Sequence, residues 1–163
     1  MRDSHPEQEI RELTERIVQL KAELAVALQR VAALTTIDDT TGLHTWRAFV
    51  ERAHTEIARA ARYQREIGLV VFASDANDMR ALADICRSQH RECDIAGLTE
   101  AREIVLLLPE TSLHGTFVIG QRIWARAAKG RDAPPKMGCA AWPQQGRTLP
   151  ALLSTARRAL TVA

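Results

Sequence analysis

The chain is poor in the residues that mark special chemistry or a special compartment. Its three cysteines, Cys86, Cys93 and Cys139, are odd in number, lack Cys-x-x-Cys spacing and have no paired histidines nearby. That excludes a disulfide framework and a zinc site of the usual spacing, and it leaves the cysteines as small buried apolar groups. Aromatic residues make up only 4%, and Trp46, Trp124 and Trp142 read as core or interface anchors. No apolar run approaches the roughly 18 residues of a membrane span. Met1 to Glu9 is polar and charged, without the apolar centre of a signal peptide, so a cytoplasmic protein is expected. Neither sign of charge prevails: 22 Lys+Arg against 20 Asp+Glu give a net charge of +2. Such a balance excludes a general nucleic-acid binder, which needs a concentrated basic face. The five histidines show no spacing that suggests catalysis, and no serine sits in a nucleophile-elbow pattern.

What is present is an ordinary globular composition, 46% hydrophobic and 26% charged over 163 residues. That suffices for one compact domain plus an appendage. The appendage comes first. Ile10, Leu13, Ile17, Leu20, Leu24, Ala27, Val31 and Leu34 follow one another at alternating spacings of three and four. This is the heptad period of a coiled coil, and it predicts a helix with a narrow apolar seam about 37 Å long. Ile10 and Ile17 at one seam position, with Leu13, Leu20 and Leu34 at the other, favour a parallel dimer through residues 7–35. Asp3 or Ser4 is expected to cap the helix, near Pro6. Val18, Val26 and Leu28 lie outside the seam, and they keep open a second arrangement, a single helix folded back on the domain.

Residues 36–163 read as alternating helices and strands. A helix is expected from Thr45 to Glu66, with Trp46, Phe49, Val50, Ala53, Ile57 and Ala60 on one face and Gly68 as its terminator. Leu69–Ala73 is a continuous apolar run that suits a buried strand. Further helices are expected at Met79–Ser88, at Leu113–Ala128 with Phe117, Ile119, Ile123 and Trp124 inward, and at Leu149–Leu160. Strands are expected at Ile104–Leu108 and Met137–Trp142, with a strand pair around residues 95–108. The order predicts an α+β, ferredoxin-like domain, a mainly antiparallel sheet flanked by helices. Arg59, Arg62 and Arg65 make a basic run balanced by Glu51, Glu56 and Glu66 and read as a solvated helix face.

Several motifs stand in a particular order. Asp38-Asp39-Thr40-Thr41-Gly42-Leu43 opens the domain, and Glu56-Ile57-Ala58-Arg59-Ala60-Ala61-Arg62 precedes the first strand. Arg91-Glu92-Cys93-Asp94 is followed five residues later by Glu100-Ala101-Arg102-Glu103-Ile104 and an apolar run to Pro109. Met137-Gly138-Cys139-Ala140 and Ala156-Arg157-Arg158-Ala159-Leu160 close the series. Together these resemble the GGDEF family, the bacterial diguanylate cyclases. In that family an Arg-x-x-Asp lies five residues before Gly-Gly-Asp/Glu-Glu-Phe, and a coiled coil often leads into the domain.

The resemblance implies a lost active site. The family takes one metal-binding carboxylate from the end of the first strand and another from the third signature position. Here Ala73 and Arg102 match those positions. A divalent metal at phosphate needs oxygen ligands, which alanine lacks, and Arg102 places a cation where a cation should bind. Glu100 and Ala101 replace the two signature glycines, adding bulk and a negative charge where backbone must approach phosphate. The segment after Asp75 is also about three helical turns shorter than the family's. Asp75 and Asp78 read as helix caps. No enzyme activity, cofactor or metal is expected.

The resemblance also implies a retained ligand site. Family inhibitory sites bind cyclic di-GMP through the Arg-x-x-Asp pair and an arginine on the helix after the signature strand, which Arg91, Asp94 and Arg122 match. The chemistry is coherent: arginine offers a planar fork of donors to guanine or phosphate, and aspartate accepts from the guanine edge. An Arg and an Asp three apart also suit a plain surface ion pair. The expectation is a non-catalytic receptor relaying cyclic di-GMP through a dimeric coiled coil to an unnamed protein partner. The alternative is a nucleotide-independent interaction scaffold.

Overall fold

The structure is a computed structural model that describes residues 4–75 and 78–161. The proposed cap Asp3 and the pair Ala76-Asn77 lie outside the described residues. Two compact units are present, residues 1–35 and 36–163.

The first unit is one helix, α1 (Ser4–Leu34). Ser4 is already helical and does not precede the helix as a cap. The segment contains no glycine, and its polar flanks are tied along one face by Arg16–Gln19 and Gln19–Glu23 hydrogen bonds. Its ten large apolar side chains from Ile10 to Leu34 are all exposed, from 48% at Leu20 and Val26 to 80% at Leu34.

The second unit runs α2 (Trp46–Tyr63), β1 (Ile67–Ala73), α3 (Met79–Gln89), β2 (Ile95–Leu98), β3 (Ile104–Pro109), α4 (Leu113–Ala128), β4 (Lys136–Trp142) and α5 (Leu149–Arg158). The strands form one sheet in the order β2-β3-β1-β4, antiparallel at every pairing. This is the ferredoxin-like arrangement that the order of elements predicts. β1 alternates its side chains between two apolar layers. Val70 and Phe72 join Leu82, Cys86 and Ile123 of α3 and α4, whereas Leu69 and Val71 join Phe49, Ala53 and Leu152 of α2 and α5. Burial on both faces explains why β1 reads as an unbroken apolar run.

Each outer strand of the sheet is met by one isolated bridge. His44 pairs with β2, donating its N–H to the Ala96 carbonyl at 3.0 Å and accepting from Leu98 N–H at 2.9 Å. Thr161 forms an antiparallel bridge with Met137 of β4, each N–H donating to the other's carbonyl. The turn that delivers His44 is built by Asp38, whose Oδ1 accepts from both Thr41 N–H and Thr41 Oγ1. Gly42 supplies the left-handed conformation that follows, with φ +66°.

Three local expectations are corrected. Gly68 does not end α2; Gln64 does, in a left-handed C-cap whose N–H donates to the Ala60 carbonyl. Gly68 lies inside β1, where a Cβ would run into Thr116 Oγ1. Phe117 is not inward but 49% exposed. The buried stripe of α4 is Thr116, Gly120, Ile123 and Ala127, and these mostly small residues let the helix lie close to β1. Asp78 occupies the N-cap of α3 without a side-chain cap bond; its carboxylate instead pairs with Arg131 at 3.2 Å.

Candidate functional site

At one end of the sheet lie the positions that the sequence resemblance assigns to a lost catalytic centre. Phe72 faces Ile104 and Ala73 faces Lys136, so Ala73 ends β1 between Lys136 and the β2–β3 hairpin. The hairpin turns at Thr99–Arg102, closed by Arg102 N–H to the Thr99 carbonyl at 2.9 Å. Arg102 has φ +57°, a left-handed conformation that costs about 1 kcal/mol for a residue with a Cβ. Glu100, Ala101 and Arg102 are exposed. The one carboxylate at the neck of this hairpin, Glu103, is engaged. Its Oε2 accepts from Arg157 Nε at 2.9 Å and Nη2 at 2.6 Å, and its N–H donates to Thr99 Oγ1 at 3.0 Å. Among the described residues no three His, Cys, Asp or Glu side chains are grouped to hold a metal.

Arg91 and Asp94 sit elsewhere, in the tight turn between α3 and β2. Asp94 is buried, 8% exposed, and its Oδ2 accepts the Arg91 backbone N–H at 2.7 Å. Asp94 N–H returns to the Arg91 carbonyl at 3.1 Å. The Arg-x-x-Asp motif is thus no ion pair: the carboxylate holds the main chain, and the Arg91 guanidinium pairs with no described carboxylate. Both residues line an open groove of about 1000 Å³, whose opposite wall is α2 with Arg52, Glu56 and Arg59. His44, His90 and Arg65 also line it.

Arg122 is not brought into that groove. It projects from α4, and its Nη2 donates to the Gln89 carbonyl at 3.1 Å, two residues before Arg91. It therefore reaches the same segment by another route.

The sequence pattern marks Arg59 only as part of a solvated face and does not single out Arg52, although both line this groove. Arg52 and Arg59 are seven apart and share a helical face, the signal that would have set them apart from Arg62. Burial pushes the Cys86 thiol up to about 12 and the Cys139 thiol up to about 11. Cys93 is exposed. Trp46 stacks on Phe49 at 5.6 Å, and Trp124 Nε1 donates to the Pro135 carbonyl at 2.7 Å.

No family profile and no curated protein matches this sequence. Solved structures do match. A sensory box/GGDEF family protein from Caulobacter crescentus superposes with a TM-score of 0.67 at 19% identity, covering 77% of this chain and 96% of that one. The coiled coil and GGDEF domain of DgcB from the same organism, solved in complex with c-di-GMP, gives 0.67 at 16%, covering 93% and 90%. The diguanylate cyclase SiaD of Pseudomonas aeruginosa, in complex with its activator SiaC, gives 0.67 at 21%, covering 93% and 65%. Residues 36–163 carry the fold of GGDEF domains, and α1 is compatible with the coiled coil that precedes some of them. No helix among the described residues is long and apolar enough to cross a membrane.

Proposed function

We propose that this chain is a non-catalytic signalling protein of GGDEF fold that binds cyclic di-GMP beside Arg91 and Asp94 and relays it through a dimeric coiled coil to a protein partner. The observation that carries the ligand half is the groove itself. The Arg91 guanidinium, which pairs with no described carboxylate, lines it together with Arg52 and with Arg59, which stands 3.6 Å from Glu56. Two phosphodiester charges suit such a lining, because charge-assisted hydrogen bonds are worth about 1.5–3 kcal/mol each. Asp94 Oδ2 serves the Arg91 N–H, and Oδ1, with only the weak Cys93 thiol as donor at 3.9 Å, keeps acceptor capacity. Arg122 takes part only by giving up Gln89 or by offering its other nitrogens.

The inactive half rests on Ala73 and Arg102 at the metal-ligand positions and on Glu103 held by Arg157. Cyclisation of GTP needs carboxylates free to hold divalent metal. Incubation with GTP and Mg²⁺ yields no cyclic dinucleotide on this reading.

Calorimetric titration with cyclic di-GMP tests the ligand half. Saturable binding that weakens about tenfold in Arg91→Ala is expected. No heat at roughly tens of micromolar ligand, or binding indifferent to Arg91→Ala, removes the ligand. The second reading, a nucleotide-independent scaffold, then stands on the exposed seam of α1.

A further inference from the structure

Two imidazoles line the groove that carries Arg91 and Asp94, and both are held through the same ring nitrogen. His44 is fixed by its main-chain pairing to β2, and its Nδ1 lies 3.3 Å from the Thr36 carbonyl. His90 follows the end of α3, with Nδ1 2.9 Å from the Cys86 carbonyl. A carbonyl only accepts, so Nδ1 carries the hydrogen in both contacts. Nε2 is then the nitrogen left to gain a proton.

The other charges of the groove nearly balance. α2 brings Arg52, Glu56 and Arg59, and the residues just after it bring Arg65 and Glu66. The turn after α3 brings Arg91, Glu92 and Asp94, and Glu110 follows β3; Tyr63 and Cys93 are the remaining titratable groups. Four arginines against five carboxylates leave one net negative charge when both imidazoles are neutral. Protonating both leaves one net positive charge. Each proton taken up by an imidazole therefore moves the lining toward positive charge. A ligand with two phosphodiester groups keeps both charges across the range in which imidazoles titrate, between about pH 5 and 8. Each proton the groove takes up therefore favours its binding.

Resting on the cyclic di-GMP reading of this groove, we propose that His44 and His90 are ligand-facing residues that couple binding of the phosphodiester anion to uptake of protons. Without ligand His44 is held below the ordinary imidazole value, chiefly by burial, with repulsion from Arg52 and His90 adding to it and the Thr36 carbonyl opposing it. An anion within about 4–6 Å favours the charged form, so His44 gains a proton as the anion arrives. The arginines supply pH-independent attraction, and the imidazoles supply the part that varies.

Calorimetric titration of the full chain with cyclic di-GMP, from about pH 8 down to about pH 6, reads this coupling. Affinity is expected to rise about tenfold over that interval. The binding heat is expected to vary with the ionisation enthalpy of the buffer, in the sense of proton uptake. His44→Gln and His90→Gln each flatten the pH dependence. An affinity and a heat indifferent to pH and buffer overturn the coupling and leave the ligand site standing. No binding at any pH removes the ligand site, and the coupling with it. The buffer measurement uses the unsubstituted chain, so a variant that fails to fold does not decide the outcome.

Discussion

Arg157 of α5 clamps Glu103 with two donors on one oxygen, Nε at 2.9 Å and Nη2 at 2.6 Å. Glu103 is the last acidic residue of the stretch that resembles a catalytic signature, and here it fastens the β2–β3 hairpin to α5. Glu103 is 14% and Arg157 43% exposed at the side chain, so water screens the pair in part. Arg157→Ala should therefore lower stability by about 1 kcal/mol, which thermal melting can read. It should not create cyclase activity from GTP and Mg²⁺, because Ala73 and Arg102 still supply no metal ligand. Product from that variant would overturn the assignment of Glu103 as a structural residue.

Gly68 and Thr116 make a second test. Gly68→Ala puts a methyl against Thr116 Oγ1, and overpacking of this kind costs about 1–3 kcal/mol. Adding Thr116→Ala opens the space, so the double variant should recover stability relative to Gly68→Ala alone. Equal melting points for the single and double variants would show that the contact does not decide why glycine stands here.

The contrast between these two sites explains what the sequence disclosed. The strands and helices were legible because their signals are local. The run Leu69–Ala73 is apolar on both faces, and Leu149–Arg158 carries one apolar stripe. Gly68 was misread as a helix terminator because its reason lies 48 residues away, on α4. Phe117 was misplaced because the inward face of α4 is chosen by the small residues Thr116 and Gly120. At the site, Arg91 and Asp94 were visible as a motif. That Asp94 would hold the Arg91 main chain, and that Arg52 and Arg59 would form the facing wall, depends on how α2 lies against β2. No single segment records that.

His44 predicts a pH dependence of stability in the ligand-free protein. Its folded-state pKa lies below the ordinary value of 6.5, chiefly through burial. Between the folded value and 6.5 the unfolded chain binds more protons than the native one. Stability therefore rises with pH through that window and is fully present above 6.5. Thermal midpoints measured downward from neutral pH should fall as the window is crossed, and His44→Gln should make the fall shallower. Parallel curves for the two proteins would assign the acid sensitivity to other groups.

The seam of α1 gives the last prediction. Ile10, Leu13, Ile17, Leu20, Leu24, Val31 and Leu34 are each about half exposed or more. Fully burying one such side chain is worth about 1.5–3 kcal/mol. A second copy offers the matching stripe, since a heptad seam is complementary to itself in a parallel pair. Leu20→Glu places a charge mid-seam and should shift the protein from dimer to monomer in light scattering, by loss of burial and by repulsion between paired glutamates. Glu15→Ala, on the solvent flank, should leave the dimer intact. If the unsubstituted chain already scatters as a monomer, the seam does not pair with itself, and relay through a homodimer fails even where cyclic di-GMP binds.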